Sequence, residues 1–142
     1  MTRSDRPRTP YLGSYILIYV GTILAVIVTV MLVRAIFAVD IGNAGTAILP
    51  PIAAALLVGQ RWARAAGAVP PSPEIWRFAI VAAVAAFALM VLAALASLAA
   101  LGPDAGDLAP YVGGIVLLFT ALTVLLNRWF VMLGARMALR AG

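Results

Sequence analysis

The stretch GQRWARAAGAVPPSPEIWRF, residues 59–78, decides how this chain is arranged. It carries Arg61, Arg64 and Arg77 against one acid, Glu74, with Gly67, Pro70, Pro71 and Pro73 between them, and long apolar runs lie on both sides. Hydrocarbon rejects such a segment, because each arginine held at mid-bilayer costs about 3 kcal/mol, whereas water accepts it. The stretch therefore reads as an aqueous elbow, over about 62–74, between two membrane helices.

Composition points the same way. Of 142 residues, 65% are hydrophobic and 11% charged, where a soluble domain has roughly half and a quarter. Mean hydropathy is +1.10. A helix needs about 20 mostly apolar residues to cross about 30 Å of hydrocarbon, and four charge-free windows qualify: 12–33, 41–60, 78–103 and 108–127. The expected fold class is all-α: one polytopic membrane domain, 1–142, with four transmembrane helices over about 11–37, 45–65, 73–101 and 109–139.

Working outward from the elbow, Ser72-Pro73-Glu74 is a helix start, with a capping hydroxyl, a proline that needs no N–H donor and an acid in the first turn. The helix that follows is rich in alanines four apart, such as Ala79 with Ala83 and Ala82 with Ala86, which let backbones approach. It is expected to be the central, most covered helix. Upstream, Pro50-Pro51 interrupts the helix that ends in the elbow. Either that helix begins close to these prolines or it is kinked there. Tyr11, Tyr15 and Tyr19 share one face near the start of the first helix and are expected in the lipid–water belt. Before them, Arg3, Arg6 and Arg8 with Pro7 and Pro10 form a basic arm, and the apolar run behind it is long enough for an uncleaved anchor.

Counting arginines sets the expected orientation. The arm, the elbow and the residues from Arg128 onward hold nine of the ten, while the two opposite loops hold Arg34 with Asp40, Asp104 and Asp107. Cytoplasmic segments carry the excess of arginine. Both termini are thus expected in the cytoplasm, and the location is a bacterial inner membrane, multi-pass. A net charge of +5 raises nucleic acid as a partner in a soluble protein, but here the arginines sit at helix ends and face anionic lipid. No nucleic-acid partner is expected.

The search for chemistry finds few groups to do it. The chain has no cysteine and no histidine, which removes thiolate nucleophiles, disulfides, histidine-ligated haem and most zinc sites. No carboxylate lies in the four windows, and Thr22, Thr29, Ser97, Thr120 and Thr123 have no histidine or lysine to activate them. An enzyme is not expected, nor a cofactor or metal. The polar candidates are Arg34 with Asp40, and Gln60-Arg61 with Asn127-Arg128. Arg34 reads as a snorkelling arginine beside Asp40 or a lipid phosphate, with a gate for anions as the competing reading. Asn127 and Arg128 lie about 24 Å along a helix from Tyr111 at 1.5 Å per residue, so they are expected near the inner interface as anchors and interhelix hydrogen-bonding groups rather than a binding site.

The same residues also suit a duplication. Gln60-Arg61-Trp62 with Gly67, and Asn127-Arg128-Trp129 with Gly134, repeat at an offset of 67 that also pairs Asp40 with Asp107. Two hairpins related by an axis along the membrane normal account for the match; so does the general preference of helix ends for tryptophan and arginine.

The segment ILPPIAAALLVGQRWARAAGAVPPSPEIWRF resembles a group of small bacterial inner-membrane proteins known under the tag ABZJ, and the tail LNRWFVMLGARMA is a weaker match. The likeness covers some 50 residues. It implies a four-helix fold and an inner-membrane location, and brings no activity or site residues with it. The small multidrug exporters are similar in helix count, but their buried first-helix glutamate has no counterpart before Arg34. Fluoride channels are similar in outline, but lack the strong arginine bias found here.

Two functions follow as expectations. The first is a non-catalytic accessory or scaffold subunit that packs against itself, as a homo-oligomer, or against a larger membrane complex. The alternative is a small channel or transporter for an anionic or apolar solute.

Overall fold

The computed structural model describes residues 11–39, 41–42, 44–101 and 108–141. They form four helices: α1 (Leu12–Phe37), α2 (Ala44–Ala66), α3 (Ser72–Leu101) and α4 (Ala109–Arg140). Three segments, Leu12–Phe37, Ser72–Ala96 and Pro110–Arg140, are long and apolar enough to cross a membrane. α2, expected as a fourth span, is not among them. Its 23 residues reach about 34 Å at 1.5 Å per residue, but Pro50, Pro51, Gln60, Arg61 and Arg64 dilute its apolar character. It begins at Ala44, well ahead of the prolines, and stays helical through both of them.

Local chemistry explains the helix ends. α2 stops where Gly67 takes φ +64°, the left-handed conformation that glycine enters without a Cβ penalty. α3 starts one residue ahead of the serine-cap reading. The Pro71 carbonyl accepts from the N–H groups of Glu74 (3.0 Å) and Ile75 (3.2 Å), so Ser72 and Pro73 lie inside the first turn. Proline is harmless there, since the first N–H groups of a helix have no intrahelical acceptor. α1 closes with Ala38 at φ 55°, its N–H donating to the Arg34 carbonyl at 3.0 Å. An L-residue pays about 1–2 kcal/mol for that conformation. Ala38→Gly is expected to recover about 1 kcal/mol in thermal unfolding of the detergent-solubilised protein.

The helices alternate in direction. Tyr11 at the start of α1 lies 6.2 Å, ring to ring, from Trp62 near the end of α2, and Phe78 near the start of α3 meets the same tryptophan. Ala63, late in α2, clusters with Ala135 and Ala138, late in α4. The beginnings of α1 and α3 and the ends of α2 and α4 therefore gather at one end of the bundle.

The tightest seam joins α2 to α4. A Cβ on Gly59 would run into the Val131 carbonyl, and one on Gly134 into the Leu56 carbonyl. These two glycines let the helices touch backbone to backbone, the packing that replaces hydrophobic driving force in lipid. Ala55 and Ala63, one turn to either side of Gly59, are fully buried. This seam, rather than α3, is the middle of the bundle. α3 buries a single stripe, Ile75, Phe78, Ala79, Ala82, Ala83 and Ala86, and exposes Ile80, Val84, Leu92 and Leu95. The alanine spacing is used, but on one side only.

The far end of the bundle is open. α1 contributes its first half to the core, while Leu24, Ile27, Val28, Met31, Leu32 and Ile36 are exposed. Water would not tolerate so much exposed apolar surface, and lipid makes it unremarkable.

Candidate functional site

The interior polar groups meet at the closed end, inside an aromatic cluster. Tyr15 and Tyr19, one turn apart on α1, stack at 5.8 Å with 21° between their planes. Phe78 of α3 packs edge-to-face with Tyr15 at 5.7 Å and with Trp62 at 5.9 Å. Offset and edge-on pairs of this kind contribute about 1 kcal/mol each beyond burial. Tyr15 is 1% exposed and Tyr19 5%, which overturns their expected place in the lipid–water belt. Tyr11 alone of the three is only half-buried. Helical spacing put the tyrosines on one face, and that face turns inward because the rings find aromatic partners there.

Asn127, expected as an anchor and an interhelix hydrogen-bonding group, takes the second of these roles: it is fully buried in α4, and the Tyr15 hydroxyl donates to its Oδ1 at 3.0 Å. This bond ties the first helix to the last. Its Nδ2 has no hydrogen-bond partner among the described residues. Arg128, its neighbour, points another way: its guanidinium carbon lies 4.4 Å from the centre of the Trp76 ring on α3. A half-exposed cation over an aromatic face is worth about 0.5–1 kcal/mol. Arg128→Ala is accordingly expected to lower stability by no more than about 1 kcal/mol in the same unfolding measurement.

The other expected site residues are scattered. Arg34 is exposed in the last turn of α1, and Asp40 lies outside the described residues, as do the arm before Tyr11, Asn43 and the loop with Asp104 and Asp107. Gln60 is half-buried and Arg61 exposed, while Pro50 and Pro51 are buried inside α2. The two glycines matched at the offset of 67 do different work. Gly67 ends α2, whereas Gly134 lies within α4 against Leu56. It is Gly59 that plays the part of Gly134 on the opposing helix.

The threonine hydroxyls are committed to their own helices. Thr22, Thr29, Thr120 and Thr123 each donate to the carbonyl four residues back, at 2.7–2.8 Å. This satisfies the donor without water and leaves only the oxygen lone pairs available. Among the described residues no group of three or more acidic residues is placed to hold a metal. Sequence reasoning missed Tyr15, Phe78 and Gly59 as structural centres. Their signal was present in the spacing of Tyr15, Trp62 and Asn127, but nothing in the sequence aligned those three helices.

Beyond the closed end, a cleft of about 400 Å³ opens between the later half of α3 and the early half of α4, walled by Phe87, Val91, Leu98, Val112, Gly113 and Val116. Every one of these offers carbon to the space, so the cleft suits an apolar chain and gives an ion nothing to bind.

Comparisons with protein-family models, curated proteins and solved structures returned no significant match to this chain.

The strength of the link between α1 and α4 is measurable. A double-mutant cycle with Tyr15→Phe and Asn127→Leu is expected to give a coupling energy of about 0.6 kcal/mol, the average for hydrogen bonds between membrane helices, and no more than about 1.7 kcal/mol. Additive losses would show that the bond contributes nothing.

Proposed function

We propose that this chain is a non-catalytic integral inner-membrane protein of four spans, an accessory or scaffold subunit that packs against itself or a larger membrane complex. The observation that carries this reading is the division of the bundle. One end is closed by the seam of Gly59 and Gly134 and by the aromatic cluster, while α1, α3 and α4 present unpacked apolar faces toward the other end. Such faces are covered by lipid or by other helices, and the apolar cleft beside α3 provides no route for an anion. Both termini lie in the cytoplasm in this reading, with Arg61, Arg64, Arg77, Arg128, Arg136 and Arg140 meeting anionic headgroups. In this reading Pro50 and Pro51 bend α2. The resemblance to the ABZJ group favours the same architecture and location.

Two measurements test it. The chain lacks cysteine, so single cysteines at Ala68 and Ala105 report sidedness directly. Ala105→Cys should react with an impermeant maleimide on intact spheroplasts, and Ala68→Cys only after permeabilisation; the reverse pattern overturns the topology. Native mass spectrometry from membranes should then show a fixed stoichiometry with itself or a partner. A lone monomer carrying only lipid overturns the subunit reading.

A further inference from the structure

The Asn127 amide has one end held and one end unheld. Its side chain is fully buried, Tyr15 occupies Oδ1, and Nδ2 lacks an acceptor among the described residues. An amide can be turned end for end, but turning this one does not resolve the shortfall. The tyrosine hydroxyl would then accept from Nδ2, and Oδ1 would be the atom without a partner. Whichever atom faces away from Tyr15, something able to accept or donate must meet it, because hydrocarbon offers no hydrogen bonds.

The neighbouring groups narrow what that something is. Thr123 lies four residues before Asn127, on the same face of α4, and is 3% exposed. Its hydrogen is given to the Phe119 carbonyl, so its oxygen can only accept. The Tyr15 hydroxyl spends its hydrogen on Oδ1 and likewise keeps lone pairs. The face thus offers one donor group, Nδ2 with its two hydrogens, and two acceptors, Thr123 Oγ1 and Tyr15 Oη. Water is the smallest molecule that matches this set, accepting once and donating up to twice, and buried waters have two to four such partners. It also matches the turned amide, where its donors serve Oδ1. Carbonyl compounds and anions only accept, and would leave the two hydroxyl oxygens as they are.

We propose that Asn127, Thr123 and Tyr15 hold a single buried water molecule between α4 and α1. It is part of the closed end of the bundle, and it makes the link between the first and last helices a hydrated one. The site depends on packing at the aromatic cluster alone and is independent of whether the protein acts as a subunit.

The chain has only two asparagines, Asn43 and Asn127, which makes the test selective. Protein labelled with 15N-asparagine, carrying Asn43→Gln and reconstituted in lipid bilayers, leaves one side-chain amide to observe by proton-detected solid-state NMR. The Asn127 amide protons should show magnetisation transfer from a water resonance. That transfer should be lost in Thr123→Val, which keeps the shape and removes the acceptor, and retained in Thr120→Val, which lies two turns, about 10 Å, back along α4 from Asn127. A cross-peak from the Asn127 amide to a protein or lipid carbonyl, or no transfer from water, overturns the proposal. If Thr123→Val fails to fold, the unsubstituted Thr123 protein decides by the same signal.

Discussion

Replacing Gly59 with alanine is expected to cost about 3 kcal/mol, the upper end of the overpacking range. The methyl group would meet the Val131 carbonyl, which belongs to a helix backbone and cannot swing aside as a side chain could. α2 and α4 would have to separate along their whole seam, loosening Ala55, Val58, Ala63 and Ala135 together. Gly134→Ala should act the same way through Leu56, and the double variant should not hold the bundle at all. Gly21→Ala and Gly114→Ala supply the contrast. Nothing lies within 4 Å of a Cβ at either position, so each should be stabilised by about 0.5–1 kcal/mol, the ordinary gain of alanine over glycine in a helix. Unfolding in detergent followed by circular dichroism reads both signs. A loss at Gly21 equal to that at Gly59 would mean that the seam does not exist.

Phe78→Ala should have the next largest effect. Its ring is 1% exposed and makes the edge contacts to Tyr15 and Trp62 that join three helices. Phenylalanine-to-alanine changes in cores cost about 3–5 kcal/mol. Part of that cost is transfer from water, which falls away when the separated helices remain in lipid. The expected loss is therefore about 3 kcal/mol, from the cavity and the lost ring contacts. Phe78→Leu, which keeps most of the volume, should lose less than about 1.5 kcal/mol. Trp129 provides the control, being 68% exposed on α4; its truncation should leave stability nearly unchanged. Equal losses at Phe78 and Trp129 would show that the aromatic cluster is not a core.

Much of the local structure was written in short stretches of residues. The elbow follows from three arginines and three prolines in a row of 20, and Gly67 marks the end of α2 because only glycine enters its conformation freely. Ser72-Pro73-Glu74 marks the start of α3, although the Pro71 carbonyl, not the serine, takes the first N–H groups. What could not be seen was which side of each helix meets another. In water, an apolar stripe on a polar helix names the buried face. α1 has no such stripe, since its apolar residues run all round it, and the tyrosines were the only contrast to read. All three looked like interfacial residues, and Tyr15 and Tyr19 proved to be core. The glycines show the same blindness, because Gly13, Gly21, Gly59 and Gly134 are alike in sequence and only two of them carry the helix seam.

By itself, then, the sequence determined that lipid is the solvent, that four helices form and where turn chemistry ends them. Tertiary structure alone decided that α2 and α4 lie backbone to backbone, and that Tyr15 reaches across to Asn127. The physical reason is that lipid is as apolar as leucine. Burial therefore gains little from hydrophobicity, and the partners are chosen by shape, ring contacts and a single amide.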